Sequence, residues 1–591
     1  MFKPTNFKRL GIAPRSNMEL KDYASSGISQ ALRAAWKVSP EKAESMALKF
    51  YKGDRSKAYM RLFWMLRGMD DETSKQFAIK AFEAGAEDIE AVKIYALNAF
   101  KNGDMNTVSN LSNVVGRTKR LQRLLKNVQS SMHLLEKGMP MPSYSKELGY
   151  RPLEHRALYF LHNSLPINSG GYATRAHGLL KGIHRAGFEA MAVTRWGFPH
   201  DRGNKYAHGT YAPYDIIDGV KYHRLLSKTE GMGKIPIRDY LNKNIARNGQ
   251  ILRNLRPSIV HGASNFINGV TANVAAKKHG VMSIYEVRGL WEITRMSREP
   301  QYEGTDAFNL YVRMETEACQ SADHCFAITQ ALKDEMIDRG VDGDKITLVH
   351  NGVDTSRFVP MVPNLELKAK LGYAPDDVII GYIGSIVDYE GLDYLLQAFS
   401  KVKNSGQKNL KAIIIGDGDK LESLMEMTKS LRLGDFVKFT GRIPHHDVEN
   451  YYSFIDIAPF PRKGIPVCEM VSPLKPFEAM AMGKAVIVSS VAAMAEFVDH
   501  GKTGLIVKKD DPKELYQALI DLYTNPELRQ SLGQNARNFV VERRDWKVLA
   551  SKMTDVYQQL LDKRQWLVAQ NPELYPFDNS IDEMVRAKHG V

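Results

Sequence analysis

The sequence predicts an α/β protein in which two successive domains, each built on a parallel sheet, follow an all-α domain of helical hairpins. Three observations predict it. From Ala157 to Lys509, short apolar runs rich in β-branched residues alternate with helical stretches, as parallel strands covered on both faces require. From about Ser26 to Lys137, apolar residues instead recur at three and four, the period of an amphipathic helix. At 591 residues the chain is too long for a single core.

The helical module is placed at residues 1–140. Its segments include ISQALRAAWKV, AYMRLFWMLRGM, KQFAIKAFEAG, AVKIYALNAFKNG and LQRLLKNVQSSMHLL, with Gly53, Gly85 and Gly103 where helices stop. The spacing of these glycines is too irregular for a solenoid repeat. Residues 141–154 have the Pro and Ser content of a linker. The first α/β domain, 155–362, opens with the strand ALYFLH (Ala157 to His162), the loop NSLPINSGGYATR and a helix closed by Gly187. Further strands read as EAMAVT, PSIVHG, MSIYEV, HCFAIT and ITLVHNG. The second, 363–545, contains VIIGYIGS, LKAIIIGDGD, FVKFTGR, IDIAPFP, KAVIVSS and TGLIVKK. Residues 546–591 form an amphipathic helix and a polar tail. In open α/β sheets ligands sit beyond the carboxyl ends of strands, which directs attention to the loops NSGG, GSIVDYEG, GDGD, GRIP and PRKGIPVCEMVSP.

Composition narrows the function classes. No apolar run is long enough to span a bilayer, and the N-terminus lacks the apolar core of a signal peptide, so a cytoplasmic protein is expected. The three cysteines form no CxxC and no even framework, which argues against disulfide or zinc stabilisation. The net charge of +14 is unevenly spread: residues 1–150 hold 25 Lys and Arg against 15 Asp and Glu. A basic appendage on a near-balanced body suits an anionic membrane surface, nucleic acid or an acidic polymer, or simply aids solubility.

The most informative stretch is Pro461 to Ser490, a polar loop feeding a helix from about Leu474 to Met482 and then a buried strand, Ala485 to Val488. A loop entering a helix N-terminus offers N–H groups and partial positive charge to a phosphate. Lys475 is a cation in the first turn, where the helix itself favours an anion, so an external anion would suit it. Glu478, one turn later, projects to about the same face and can accept hydrogen bonds from ribose hydroxyls. An ordinary β-loop-α unit with solvated charges is the alternative at this point.

Taken in order, SGGYATRAHGLL, LVHNGVDTSRFVP, IGSIVDYEGLDYLLQAF, IIIGDGD, VKFTGRIPHHDVENYYSFIDI, PLKPFEAMAMGKAVI and GKTGLIV resemble a GT4-family glycosyltransferase over roughly residues 155–565. The resemblance implies the GT-B fold of two facing Rossmann-like domains. It also implies retaining transfer of a sugar from a nucleotide donor, UDP-linked by expectation, with no essential metal or other cofactor. Carried over, Glu478 holds the ribose, Gly170 and Gly171 admit the diphosphate, and Gly441, Arg442 and Ile443 lie beside the base. Three positions depart from the family pattern: Ser385 and Glu390 stand where an Arg and a Lys reach the diphosphate, and Met470 replaces the first of two paired glutamates. Charge gained by the departing nucleotide must still be met. Arg462, Lys463 and Lys475 are therefore expected to replace the missing cations, with the Ser472 region supplying backbone donors and Glu469 reaching the donor sugar. Asp417 and Asp419 in GDGD read as structural or nucleotide-adjacent.

The first domain is expected to shape the acceptor pocket through His162, Arg175, His261, Glu286, Arg288 and Glu292, although Glu286 and Arg288 can equally pair with one another. The function expected is sugar transfer to a glycan or lipid-linked acceptor in surface polysaccharide synthesis, with peripheral contact to the inner membrane face through the basic helices and no nucleic acid. A non-catalytic GT-B-like scaffold, or a GT-B epimerase or phosphorylase, are the alternatives.

Overall fold

A computed structural model describes residues 27–112, 118–143 and 150–570. The N-terminal segment, part of the linker and the polar tail lie outside them. The chain divides into two compact units, one of residues up to His133 with 304–309, the other of Leu134–Glu303 and Leu310 onward.

The first unit is helical. Helices Pro40–Phe50, Arg55–Leu66, Asp71–Glu83, Ile89–Asn102 and Met105–Asn110 follow one another, and Ser39, Asp54, Asp70, Asp88 and Asp104 cap them by accepting backbone N–H groups of the first turn. Gly103 ends its helix in the left-handed conformation, φ +90°. Leu62, Phe63, Leu66, Phe77 and Ala81 are buried in the core of this unit.

The second unit carries two sheets. In the first, β1 (Leu153–Leu161), β2 (Glu189–Thr194), β3 (Tyr214–Ile217), β4 (Val220–Arg224), β5 (Pro257–Ala263), β6 (Met282–Val287), β7 (His324–Ala327) and β8 (Ile346–Leu348) run in the order β3-β4-β2-β1-β5-β6-β7-β8. All neighbours are parallel except the β3–β4 hairpin at the edge. That hairpin is absent from the sequence reading, yet it had a signal: Asp218-Gly219 joins two alternating runs, and both turn residues have positive φ, +48° and +82°.

The second sheet is all parallel, in the order β11-β10-β9-β12-β13-β14, from β9 (Val378–Ile383), β10 (Leu410–Ile415), β11 (Val437–Gly441), β12 (Ile457–Phe460), β13 (Ala485–Ser489) and β14 (Leu505–Val507). Strand order reverses beside β1 in one sheet and beside β9 in the other, and such switch points leave a crevice at the carboxyl ends. The loops after β1 and β9, Asn168–Gly171 and Gly384–Glu390, both line one cleft.

The chain then returns to the first sheet. Trp546, Ala550, Met553 and Tyr557 of helix Trp546–Gln570 are buried with Tyr159 of β1 and Leu179 of helix Gly171–Arg185. Two glycines allow this approach: a Cβ on Gly178 would lie 2.5 Å from the Trp546 ring, and one on Gly182 would lie 2.4 Å from the Ala550 Cβ.

Candidate active site

The cleft between the sheets measures about 850 Å³ and is lined from the first domain by Asn168–Tyr172, Arg175, Arg202, Tyr206, Arg288 and Asn351. From the second domain come Gly384, Ser385, Glu390, Asp417, Arg442, Ile443, Arg462, Ser472, Lys475 and Glu478. Another cavity of about 810 Å³, between helices Gly171–Arg185 and Trp546–Gln570, contains none of the residues singled out from sequence. The switch-point geometry and the converging charges make the former the candidate site.

Gly170 is the N-cap of helix Gly171–Arg185 and provides no side-chain cap, so that helix opens towards the cleft through backbone alone. Gly170 itself donates to Asn168 Oδ1 at 2.8 Å. Opposite, the stem of Lys475 lies against Gly384, where a Cβ would sit 2.0 Å from the lysine Cε. Lys475 thus occupies space beside Ser385, the position at which the sequence lacks an arginine.

Glu478 lines the same cleft. Burial pushes its carboxyl up to about 7, Lys475 and Arg357 only partly offsetting this, while Glu449 adds to it. When ionised, a carboxylate lining the cleft can accept from hydroxyl donors.

Arg462 and Glu390 form a buried pair, 3.4 Å apart, 4% and 3% exposed. Arg462 also donates to Val471 O at 2.7 Å and lies over the Tyr389 ring. The acidic residue at 390 thus stands against Arg462, which also lines the cleft. Arg462 Nε and Glu390 Oε2 are buried with no protein partner, which leaves polar capacity at the cleft wall.

The wall from the first domain rests on a buried ion cluster. Glu286, fully buried, accepts from Arg175 Nε at 2.9 Å and from Arg288 Nε at 2.7 Å. Burial opposes its charge, but Arg288 and Arg175 hold it well below the usual carboxylate range. Arg175 reaches on to Asn351 Oδ1 at 3.1 Å, and Asn351 donates to Ser472 O at 2.7 Å. This chain runs from β6 to the loop before Lys475 and joins the two domains. Thr329 adds a hydroxyl bond to Met470 O at 2.5 Å. Asn351, Glu390 as a partner of Arg462, Arg202 and Tyr206 are absent from the sequence reading. For Asn351 the signal was its place in the LVHNG motif; for the others only the tertiary fold brings them to the cleft.

Several sequence expectations are corrected. Lys463 is drawn to Asp388 and Asp393 at 3.2 and 3.3 Å and does not line the cleft. Glu469, on the short helix Pro466–Met470, accepts the Ala492 N–H at 2.7 Å, pairs with Lys509 at 2.6 Å and does not line the cleft. Gly441 is not in the lining; it turns with φ +70° and its carbonyl accepts the Gly416 N–H, which leaves Arg442 and Ile443 facing inward. Glu286 pairs with its arginines, the alternative left open from sequence, and does not line the cleft. His261 is fully buried beneath it, stacked on Tyr159 and 2.8 Å from the Tyr557 hydroxyl, and burial lowers its pKa, Glu286 partly opposing. Glu292 is buried against Arg339 at 2.8 Å. His162 packs edge-on to Trp291, its charge suppressed first by burial and then by Arg195 and Arg202; it lies next to the lining, not in it. Arg175 and Arg288 do line the cleft, with most of their donors already committed.

Two parallel-sheet domains facing across a cleft, with an uncapped helix terminus, a lysine and a glutamate in its lining, define a two-domain α/β protein with its candidate site between the sheets. Residues 169–357 match the model for Glycosyltransferase Family 4 and residues 364–539 that for Glycosyl transferases group 1, and the chain belongs to these GT-B glycosyltransferases. It is 27% identical over 296 residues to the capsular polysaccharide biosynthesis glycosyltransferase CapM of Staphylococcus aureus, covering 48% of this chain and 71% of that one. The chain spans about 60% of the length of the first curated relatives it matches. The fold is also that of sucrose-phosphate synthase from Thermosynechococcus elongatus, at TM-score 0.57 and 19% identity, covering 69% of this chain and 99% of that one. The Anabaena protein HepE, solved with UDP-glucose, shares it at TM-score 0.52 and 16% identity, covering 68% and 99%. No helix among the described residues is long and apolar enough to cross a membrane.

Proposed function

We propose that the protein transfers a sugar from a UDP-linked donor to an acceptor hydroxyl with retention of configuration and without an essential metal. The observation that carries this is the meeting of Gly170–Gly171, Lys475 and Glu478 around one cleft. The diphosphate lies between the helix terminus and Lys475, and Glu478 takes the ribose hydroxyls. Arg462 stands at the same wall for the charge that develops as the glycosidic bond breaks. The departing phosphate oxygen can take the acceptor proton, so no dedicated base is assigned. The donor identity draws support from HepE, which binds UDP-glucose.

The test is a hydrolysis and transfer screen of UDP-, GDP-, ADP- and TDP-sugars on purified protein, with and without a chelator. UDP release from a UDP-sugar that survives chelation and falls sharply in Lys475→Ala supports the proposal. Absence of both turnover and calorimetric binding with every donor would favour a scaffold, and turnover without an acceptor-dependent product would favour an epimerase or phosphorylase. The paired Glu390 and Arg462 and the seated Lys475 argue for a donor site whose cations have been relocated, not lost.

The finer reading is synthesis of a surface glycan on a glycan or lipid-linked acceptor at the inner membrane face. CapM, a capsular enzyme, and the basic N-terminal residues support it. Sedimentation with anionic vesicles tests the membrane contact; binding indifferent to salt, or none, would remove it.

A further inference from the structure

Arg442, Ile443, His445 and Val448 line one stretch of the cleft wall, on the loop after β11 and at the start of helix Val448–Phe454. That stretch neighbours Glu478. Burial is the main influence on the pKa of both Glu478 and His445, but Arg357 and Glu449 act electrostatically on each of them as well. Tyr452, on the same helix, is buried and also feels the Glu478 charge. With a ribose at Glu478 and its diphosphate towards Lys475, the base of a nucleotide is left to this stretch.

The His445 ring is held in one protonation form. Arg357 Nη1 lies 2.9 Å from His445 Nδ1, and Arg357 Nη2 donates to the His445 carbonyl at 2.7 Å. A guanidinium can only donate, so Nδ1 must accept and the ring proton sits on Nε2. Burial and then Arg357 lower the His445 pKa, with Glu449 opposing, which favours the uncharged ring. Arg357 is itself fixed, in the segment that crosses from the first sheet to the second. Its Nη2 pairs with Glu449 at 3.1 Å, and its backbone N–H donates to Asp354 Oδ1 at 3.2 Å. His445 Nε2, by contrast, has no protein partner among the described residues.

We propose that His445 selects the base of the donor, its Nε2–H donating to a carbonyl oxygen on the edge of the base, and that Arg357 is the positioning residue that keeps the proton on Nε2. Uracil, thymine and guanine each offer such an oxygen. Cytosine and adenine present an amino group at the corresponding place, which would set donor against donor. Selection therefore depends on the tautomer, since a ring with its proton on Nδ1 would accept from the amino group equally well. This inference rests on the donor-site reading of the cleft.

The experiment is calorimetric titration of the full-length protein with UDP and with CDP, whose bases differ only along that edge. The wild type should bind UDP about tenfold or more tighter than CDP. His445→Ala should cut that preference to about twofold or less, chiefly by weakening UDP. His445→Gln, whose amide can turn either its nitrogen or its oxygen to the base, should keep UDP binding and gain CDP binding. Arg357→Met should also lower the UDP-to-CDP ratio, although the new side chain offers the base no hydrogen bond. A wild type that binds the two equally, or a preference that survives His445→Ala, overturns the proposal. An Arg357→Met variant that weakens both nucleotides at an unchanged ratio overturns the positioning role. Failure of the wild type to bind either nucleotide overturns the donor-site reading and this inference with it, whereas failure of this inference alone leaves both nucleotides bound.

Discussion

Replacing Glu478 by glutamine separates binding from stability in a way that only a high-pKa ribose ligand explains. Its carboxyl is raised from the ordinary 4.5 to about 7, by burial above all. Between these values the folded protein keeps a proton that the unfolded chain has lost, so this group makes stability fall as pH rises through the window. The cost is complete above about pH 7 and amounts to roughly 3 kcal/mol for a shift of this size. Glu478→Gln should therefore raise resistance to urea at about pH 8 by up to that amount and leave it unchanged at about pH 4. Donor binding should move the other way. In the proposed contact ribose hydroxyls donate to the ionised carboxylate, which is about one-tenth populated at pH 6 and about nine-tenths at pH 8, so wild-type affinity should rise about tenfold, or about 1.4 kcal/mol, from pH 6 to pH 8. UDP-glucose is the appropriate probe because its phosphates do not titrate in this range. Calorimetry should show that slope in the wild type, and weaker, flat binding in the glutamine variant. Wild-type affinity that is level from pH 6 to 8, or a Glu478→Gln variant that binds UDP-glucose normally, refutes the reasoning.

Other perturbations address the neighbouring groups. Gly384→Ala would place a methyl within 2.0 Å of the Lys475 Cε; the lysine must move, and donor affinity should drop about tenfold with little change in the melting temperature. If donor affinity is unaltered, Lys475 does not hold the diphosphate. Glu390→Gln leaves the Arg462 guanidinium buried without its partner and should cost about 3 kcal/mol in urea unfolding, with Glu390→Gln/Arg462→Met recovering most of it. A neutral Glu390→Gln would show that the pair is not coupled. Asn351→Ala removes the bond to Ser472 O and loosens the loop before Lys475; kcat should fall about tenfold or more while UDP binding changes little, and a normal kcat would remove Asn351 from the domain link.

Much of the architecture was legible because it depends on local pattern. Buried strands such as Ala485–Ser489, helices such as Gly171–Arg185 and the switch of period after the linker all follow from the order of apolar residues along the chain. Glu478 was legible as a carboxylate one turn into a helix, whereas Gly170 and Gly171 entered through the family resemblance, the helix that they open having been expected to start at Thr174. The β3–β4 hairpin also carried a local signal in Asp218-Gly219.

The destination of each charge was not local. Arg462 and Lys463 are neighbours, yet one turns inward to Glu390 and the other to Asp388 and Asp393, and only packing of the loop after β9 decides between them. Glu286 looked like a substrate ligand until Arg175 from a distant helix closed on it, and Glu469 until Lys509 did. Sequence by itself determined the two parallel-sheet domains and the loops beyond their strands, because periodicity, glycine and helix termini act over a few residues. The tertiary structure decided which cations remain available to a ligand, because ion pairs form between side chains that only the completed fold brings together.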